Sequence, residues 1–292
     1  MKVVKILKEA MPFYKEIFRK SNWPKHVASY SAFEHFSKRF EKYPEWEHES
    51  KVEFLTLNDD KNSDGVFAMI HGPYIYFDTS EAAPYPKLER LLYLLDYSKD
   101  KMFISIRDEL RTLVDGLMRM RGLEKTYDAS ARGVYFDVKR DYILEQKRET
   151  PEGFYNATLN KEDLSQVLAA LPQKSEKCIQ YLKTVIEFNP TTGLFKNNGE
   201  LVAWCMQHEI GALGNLYVKE EFLRRNFAMQ ILPLQALKIY DQNEPIFGDV
   251  LHHNYKSFNL MNKFKHEWLD NISWIGVRKN STIKNVPFWY YV

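Results

Sequence analysis

The sequence has little cysteine, no long apolar run and no surplus of either charge, and each shortage removes a class of protein. Cys178 and Cys205 are the only cysteines among 292 residues, too few for a disulfide framework or a cysteine-built zinc site. Each reads first as a small buried apolar residue. No stretch approaches the roughly 18 apolar residues that mark a membrane span. Lys plus Arg total 41 against 39 Asp plus Glu. The clustered basic excess on which nucleic-acid binding draws is therefore missing, and no nucleic-acid partner is expected. Gly and Pro are ordinary at 12 each, without a low-complexity tract. Nucleophile-elbow, zinc-protease, phosphate-loop, CxxC and dinucleotide fingerprints are all lacking, and no metal is expected.

Large apolar side chains are plentiful. Hydrophobic residues make up 45% and aromatics 15%, with 18 Tyr, 19 Phe and 6 Trp. That is enough to offset the ordering entropy of most of the chain. A length of 292 residues suits two cores better than one. The near absence of cysteine fits a reduced, intracellular setting. Lys2, Lys5, Lys8, Lys15, Arg19 and Lys20 alternate with Glu9 and Glu16 near the start. This pattern suits an amphipathic helix better than an acid-poor transit peptide, and leaves the compartment open between cytoplasm and mitochondrion.

Hydrophobic period predicts helices over 2–20 and 27–41, then strands over 51–57, 65–72 and 74–78. A helix over 86–97 follows, with Leu88, Leu91, Leu92, Leu94 and Leu95 at helical spacing. Next come a strand over 101–106, a helix over 108–121 and strand pieces through 125–138. After a polar linker at 148–153 the order recurs. Helices are expected over 161–170 and 175–188, and strands over 193–196, 201–209 and 212–218. A helix over 224–240, a strand over 246–252, a helix over 255–266 and strands over 272–277 and 287–291 complete it. Pro233 should kink the helix over 224–240 or end its first half. The repeated order argues for an internal duplication: an α/β (α+β) chain with domains 1–148 and 149–292, each a mixed, mostly antiparallel sheet flanked by helices.

That order, with a helix entered directly from a central strand, resembles the GNAT acyltransferase superfamily in tandem. In the second half Trp204-Cys205, Leu216-Tyr217-Val218, Glu221-Phe222, the run Arg224-Arg225-Asn226-Phe227-Ala228, and His253-Asn254 with Ser257 look like the glycine N-acyltransferase-like family over about 155–280. The resemblance implies acyl-coenzyme A, acetyl or longer, as co-substrate. Its pyrophosphate would be cradled by backbone N–H groups at a helix start. The loop positions fall on Leu223, Arg224, Arg225, Asn226, Phe227 and Ala228. Leu223 stands where Arg or Gln is usual and Asn226 where Gly is usual. Asn is the non-glycine residue best suited to a left-handed backbone. The plainer alternative is a solvated helix start with a basic pair. In the first half the same loop reads Thr79-Ser80-Glu81-Ala82-Ala83-Pro84-Tyr85-Pro86. Two prolines there remove donors and Glu81 repels phosphate, so this copy is expected not to bind the coenzyme.

Acyl transfer to an amine needs a base for the amine, donors for the carbonyl oxygen and an acid for the leaving thiolate. A backbone N–H within Leu216, Tyr217 and Val218 could serve the carbonyl. The glutamate that the resemblance implies as base would fall on Ala212, and the tyrosine implied as acid on Met261. The substitutes are His208 or Glu209 at one strand end and His252 or His253 at the next, each of which could equally be a solvated edge. Asn254 suits either the pantetheine arm or a helix N-cap. The implied activity is acyl-coenzyme A-dependent N-acylation of a small amine such as glycine or another amino acid. The alternative is a catalytically impaired protein of the same fold that binds acyl-coenzyme A or a protein partner.

Overall fold

The structure is a computed structural model and describes residues 2–19, 22–45, 52–58, 64–171 and 176–279. The first half contains strands β1 (Val3–Lys5), β2 (Val52–Leu57), β3 (Phe67–His71), β4 (Tyr74–Asp78), β5 (Lys101–Arg107) and β6 (Leu123–Tyr135). Its helices are α1 (Met11–Ile17), α2 (Val27–Lys42), α3 (Pro86–Leu94) and α4 (Arg111–Arg121). A short α5 (Arg140–Glu145) and strand β7 (Phe154–Ala157), neither legible in the hydrophobic period, lead to α6 (Leu164–Ala169) and α7 (Glu176–Phe188). Then follow β8 (Thr191–Lys196), β9 (Leu201–Gln207), β10 (Leu213–Val218), α8 (Phe227–Tyr240), β11 (Phe247–Leu251), α9 (Tyr255–Met261) and β12 (Glu267–Lys279).

Local chemistry accounts for most boundaries. Helix α4 buries Val114, Leu117 and Met118 and stops where Gly122 takes φ 60, a left-handed closure that glycine adopts without a Cβ penalty. The opening stretch departs from a single helix. Val3, Val4 and Lys5 pair antiparallel with Leu57, Thr56 and Leu55, as β-branched residues beside an open sheet edge can, and the helix begins only at Met11 with Pro12 in its first turn. Helix α8 runs through Pro233 rather than ending there. Ile231, Leu232 and Ile239 around it are almost wholly buried, so apolar burial outweighs the missing backbone hydrogen bond. Helix α9 ends at Met261, short of 266, and the strand expected over 272–277 extends to Glu267–Lys279. The strand expected over 287–291 lies outside the described residues.

The sheets do not follow the linker. One contains β10-β9-β8-β7 and the other runs β1-β2-β3-β4-β5-β12-β6-β11. Strand β6 of the first half thus lies beside β11 of the second, and β12 of the second beside β5 of the first. The two thirteen-residue strands pair with each other from Leu123↔Lys279 to Tyr135↔Glu267. Register shifts interrupt β12 near Trp268/Asn271, Ser273/Ile275 and Gly276/Val277, and such bulges bend and coil a sheet. The sheet curls far enough that Ser105 on β5 reaches Asp249 on β11 across two intervening strands, at 2.5 Å.

A second bond between the halves is polar and buried. Glu244, just after α8, accepts from Gln207 at 2.6 Å and faces His35 at 3.1 Å and Arg39 at 3.4 Å on α2. The neighbouring His35 and Arg39 charges hold its carboxyl below the usual carboxylate range against the opposing effect of burial.

Candidate functional site

Strands β10 and β11 run side by side without joining a common ladder, and the two sheets separate between them. The strands come close at Gly248, where a Cβ would lie 2.5 Å from the Leu213 carbonyl oxygen. Beyond it the ladder on the other side of β10 is broken. Gly214 and Tyr217 face Met206 and Trp204, while Asn215 and Leu216 have no partner on β9, and Asn215 sits at φ 50. This bulge turns Leu216 toward the gap, whereas Tyr217 stacks on Trp204 at 4.6 Å on the opposite face and Val218 packs into the core around α8.

The gap holds a cavity of about 140 Å³. Leu251, Asn254, Ser257 and Met261 wall it toward α9, and Leu213, Gly214, Asn215 and Leu216 wall it along β10. Tyr74, Ile104, Tyr127, Tyr181 and Trp274 close it from β4, β5, β6, α7 and β12, so both halves contribute. Asn254 is the N-cap of α9, its side chain accepting from the Ser257 N–H at 3.1 Å, and it also lines the cavity.

The second half's helix start lies beyond the ends of these strands. Asn226 takes φ 63, ψ 19 at the N-cap of α8 and Arg224 takes φ 65, so the loop makes two left-handed turns before the helix. Leu223, Arg224, Arg225 and Asn226 are exposed and Phe227 is buried, with Ala228 between. The Arg225 guanidinium lies over the Phe222 ring at 5.3 Å.

The corresponding space in the first half is filled by the protein itself. Strands β4 and β5 are joined by a parallel ladder. At their far ends Arg107 is bonded to Asp78, which also meets His26 at 2.9 Å and Ser29. Glu81 accepts from the Lys87 and Leu88 N–H groups at 3.3 and 3.4 Å. A carboxylate of the chain thus occupies the N-terminus of α3, whereas no described carboxylate is bonded to the start of α8.

The four candidate bases have separate fates. His208 lines the cavity, its ring packed over Gly214, where a Cβ would lie 2.4 Å from the imidazole. Glu209 opens a short 3-10 turn, Glu209–Gly211, but its side chain lies outside the described residues. His252 and His253 are exposed beyond β11, His252 facing Asn271 at 3.1 Å, and neither lines the cavity. Ala212 is wholly buried and Met261 nearly so.

The residue that sequence reasoning passed over is Asp249. It lines the cavity from β11 and accepts from Ser105, itself held at φ 49. Burial pushes its carboxyl up to about 6, although the Ser105 hydroxyl and Trp274 indole favour the charged form. A signal existed: Asp249 interrupts the run Ile246-Phe247-Gly248-Asp249-Val250-Leu251, and a lone acid in a buried strand calls for an explanation.

Known proteins place this arrangement. An X-ray structure of a Drosophila protein superposes with a TM-score of 0.85 at 17% identity, covering 96% of this chain and 99% of that one. The tandem GNAT protein of the clavulanic acid biosynthesis pathway covers 97% and 99% at TM-score 0.57 and 10% identity. A GCN5-related N-acetyltransferase-like protein from Streptococcus suis covers 92% and 99% at 0.53 and 11%. The fold is a tandem GNAT fold. The family model for FR47-like proteins matches residues 191–275, the segment from β8 into β12 that contains the β10/β11 gap. No curated protein matches the sequence. No helix among the described residues is long and apolar enough to cross a membrane.

Proposed function

We propose that the chain is an acyl-coenzyme A-dependent N-acyltransferase acting on a small amine, with the coenzyme held by the second half alone. The observation that carries this reading is the unjoined β10/β11 pair, opening onto a cavity with titratable walls, together with a helix start to which no described carboxylate is bonded. The pyrophosphate would lie against the N–H groups of Phe227 and Ala228, where the helix dipole favours an anion, with Arg224 and Arg225 in reach through solvent. The pantetheine arm would pass Leu216, Tyr217, Val218 and Asn254, and a backbone N–H of the bulge would receive the thioester carbonyl.

In the transfer the ammonium of the acceptor gives one proton to a base, and its nitrogen attacks the thioester carbon. The C–S bond then breaks, and the second nitrogen proton goes to the departing sulfur. His208 and Asp249 line the cavity, and the base is drawn from them. The resemblance to glycine N-acyltransferase-like proteins would make the acceptor glycine or another amino acid. Ala212 and Met261, at the positions that the resemblance gives to base and acid, favour a second reading in which the coenzyme binds without efficient turnover.

A thermal-shift titration with coenzyme A, acetyl-coenzyme A and longer thioesters tests the proposal. Ligand at 100 times its dissociation constant adds about 2.7 kcal/mol to the folded state, and each kcal/mol raises the melting point of a chain this large by about 2–4 °C. Ala228→Pro, which removes one first-turn N–H, should weaken the response. No shift with any thioester at millimolar concentration would overturn the proposal. A shift without turnover on any amine would select the second reading.

A further inference from the structure

The deeply set carboxylates of this chain are not treated alike. Asp78 has Arg107 and His26, and Glu244 has Arg39 and His35. Asp249 has neither: it accepts from the Ser105 hydroxyl, with the Trp274 indole on the same cavity wall, and among the described residues no Lys, Arg or His pairs with it. An ionised carboxylate in such a place lacks the charge that would offset its desolvation. What surface Asp249 keeps faces the cavity that it lines. The same cavity is lined by the aromatic side chains of Tyr74, Tyr127, Phe136, Tyr181 and Trp274 and by His208, and no described Lys or Arg lines it.

We propose that Asp249 is the counter-ion for the acceptor's ammonium group, and that the acceptor is an arylalkylamine without a carboxylate rather than an amino acid. This rests on the acyl-transfer reading for the identity of the cavity as the acceptor end. An arylalkylammonium supplies the missing charge at Asp249, and its ring finds aromatic walls suited to stacking and to cation–π contact. An amino acid would bring a second carboxylate to the same enclosure, where no described Lys or Arg and only the His208 imidazole could face it. Ser105 acts as a positioning residue. Its left-handed backbone, uncommon for a residue with a Cβ, brings its hydroxyl to one carboxylate oxygen and leaves the other for the ammonium. After pairing, the same carboxylate accepts the proton that the nitrogen must lose before attack.

The matched pair 2-phenylethylamine and phenylalanine, alike except for the α-carboxylate, provides the test. Binding of each to the intact protein at neutral pH without coenzyme is followed by ligand-observed NMR, and then turnover of each with acetyl-coenzyme A. The wild type should bind and acylate 2-phenylethylamine and discriminate against phenylalanine by about 30-fold or more, and Asp249→Asn should lose about 30-fold in amine affinity, as loss of one partner of a buried ion pair does. Acetyl-coenzyme A affinity should stay unchanged in that variant. Equal binding of phenylalanine, or unaltered amine affinity in Asp249→Asn, would overturn the inference. The wild-type comparison decides the point even where the variant fails to fold. Amine binding without any coenzyme A response would leave the amine site standing and remove the acyl-transfer reading. A coenzyme A response with no preference for the amine would do the reverse.

Discussion

At the scale of a residue, Asp249 carries a stability cost as well as a chemical opportunity. Its folded-state pKa is pushed up to about 6 by burial, against about 3.9 in an unfolded chain. Below about pH 4 both states hold the proton and the group contributes nothing to pH dependence. Between about 4 and 6 the unfolded state releases its proton while the folded state keeps it. Wild-type stability should therefore fall as pH rises through this window, and level off above it. Asp249→Asn cannot ionise and should be more stable than wild type at pH 8 by about 1–3 kcal/mol, with the difference vanishing near pH 4. Melting curves of both proteins across pH 4–8 check this, and a constant offset would mean that the carboxyl is not held up. The sequence displayed Asp249 as an acid inside an apolar run. The missing partner could not be read, because Ser105 and Trp274 reach it only through the curl of the sheet.

At the scale of an element, the gap depends on how closely β10 and β11 approach before they part. A methyl group on Gly248 would meet backbone, not a movable side chain, so Gly248→Ala should force the strands apart and destabilise the fold by about 1–3 kcal/mol. Urea unfolding at neutral pH measures that, and a silent substitution would mean that the strands already yield there. Gly214→Ala differs, because its methyl group would displace the His208 imidazole from the cavity wall. If His208 is the base, turnover should drop at least about tenfold with coenzyme affinity retained, whereas unchanged turnover would leave the proton to Asp249. Most elements were legible in the sequence because they bury one face at a regular period: Leu88, Leu91 and Leu92 on α3, for instance, or Phe67 and Met69 on β3. Strand β6 was legible only in pieces. Its first part, from Glu124 to Ser130, is exposed or half-exposed, and its partners on both sides come from the other half of the chain. The left-handed tolerance of Asn226 was readable from residue type alone. The bulge at Asn215 was not, since it is set by the register of β10 on β9.

At the scale of the whole molecule, strand exchange and the Glu244 cluster bind the halves into one unit. Strand β11 has β6 as its ladder partner among the described residues, and β5 is flanked by β12. Residues 149–292 expressed alone would leave β11 without that partner and expose the apolar face that β6 covers, which invites aggregation. The piece should therefore be insoluble or only partly folded, while co-expression of 1–148 and 149–292 as two chains should yield a stable complex. Recovery of 149–292 as a folded monomer would show that the exchanged strands are dispensable. Glu244→Gln probes the same union without cutting the chain. It leaves Arg39, 4% exposed, without its counter-charge and should cost about 3 kcal/mol, lowering the melting point of the entire protein in a single transition. Glu244 is held below its ordinary range, so its contribution is present above about pH 4.5 and is lost on acidification; the gap between variant and wild type should narrow as pH falls. The shared sheet also holds the cavity-lining aromatics of the first half in one frame with β11 of the second. A loss of union between the halves should then reduce acceptor binding before coenzyme binding, because the cavity draws Tyr74, Ile104 and Tyr127 from the first half while the α8 loop belongs wholly to the second.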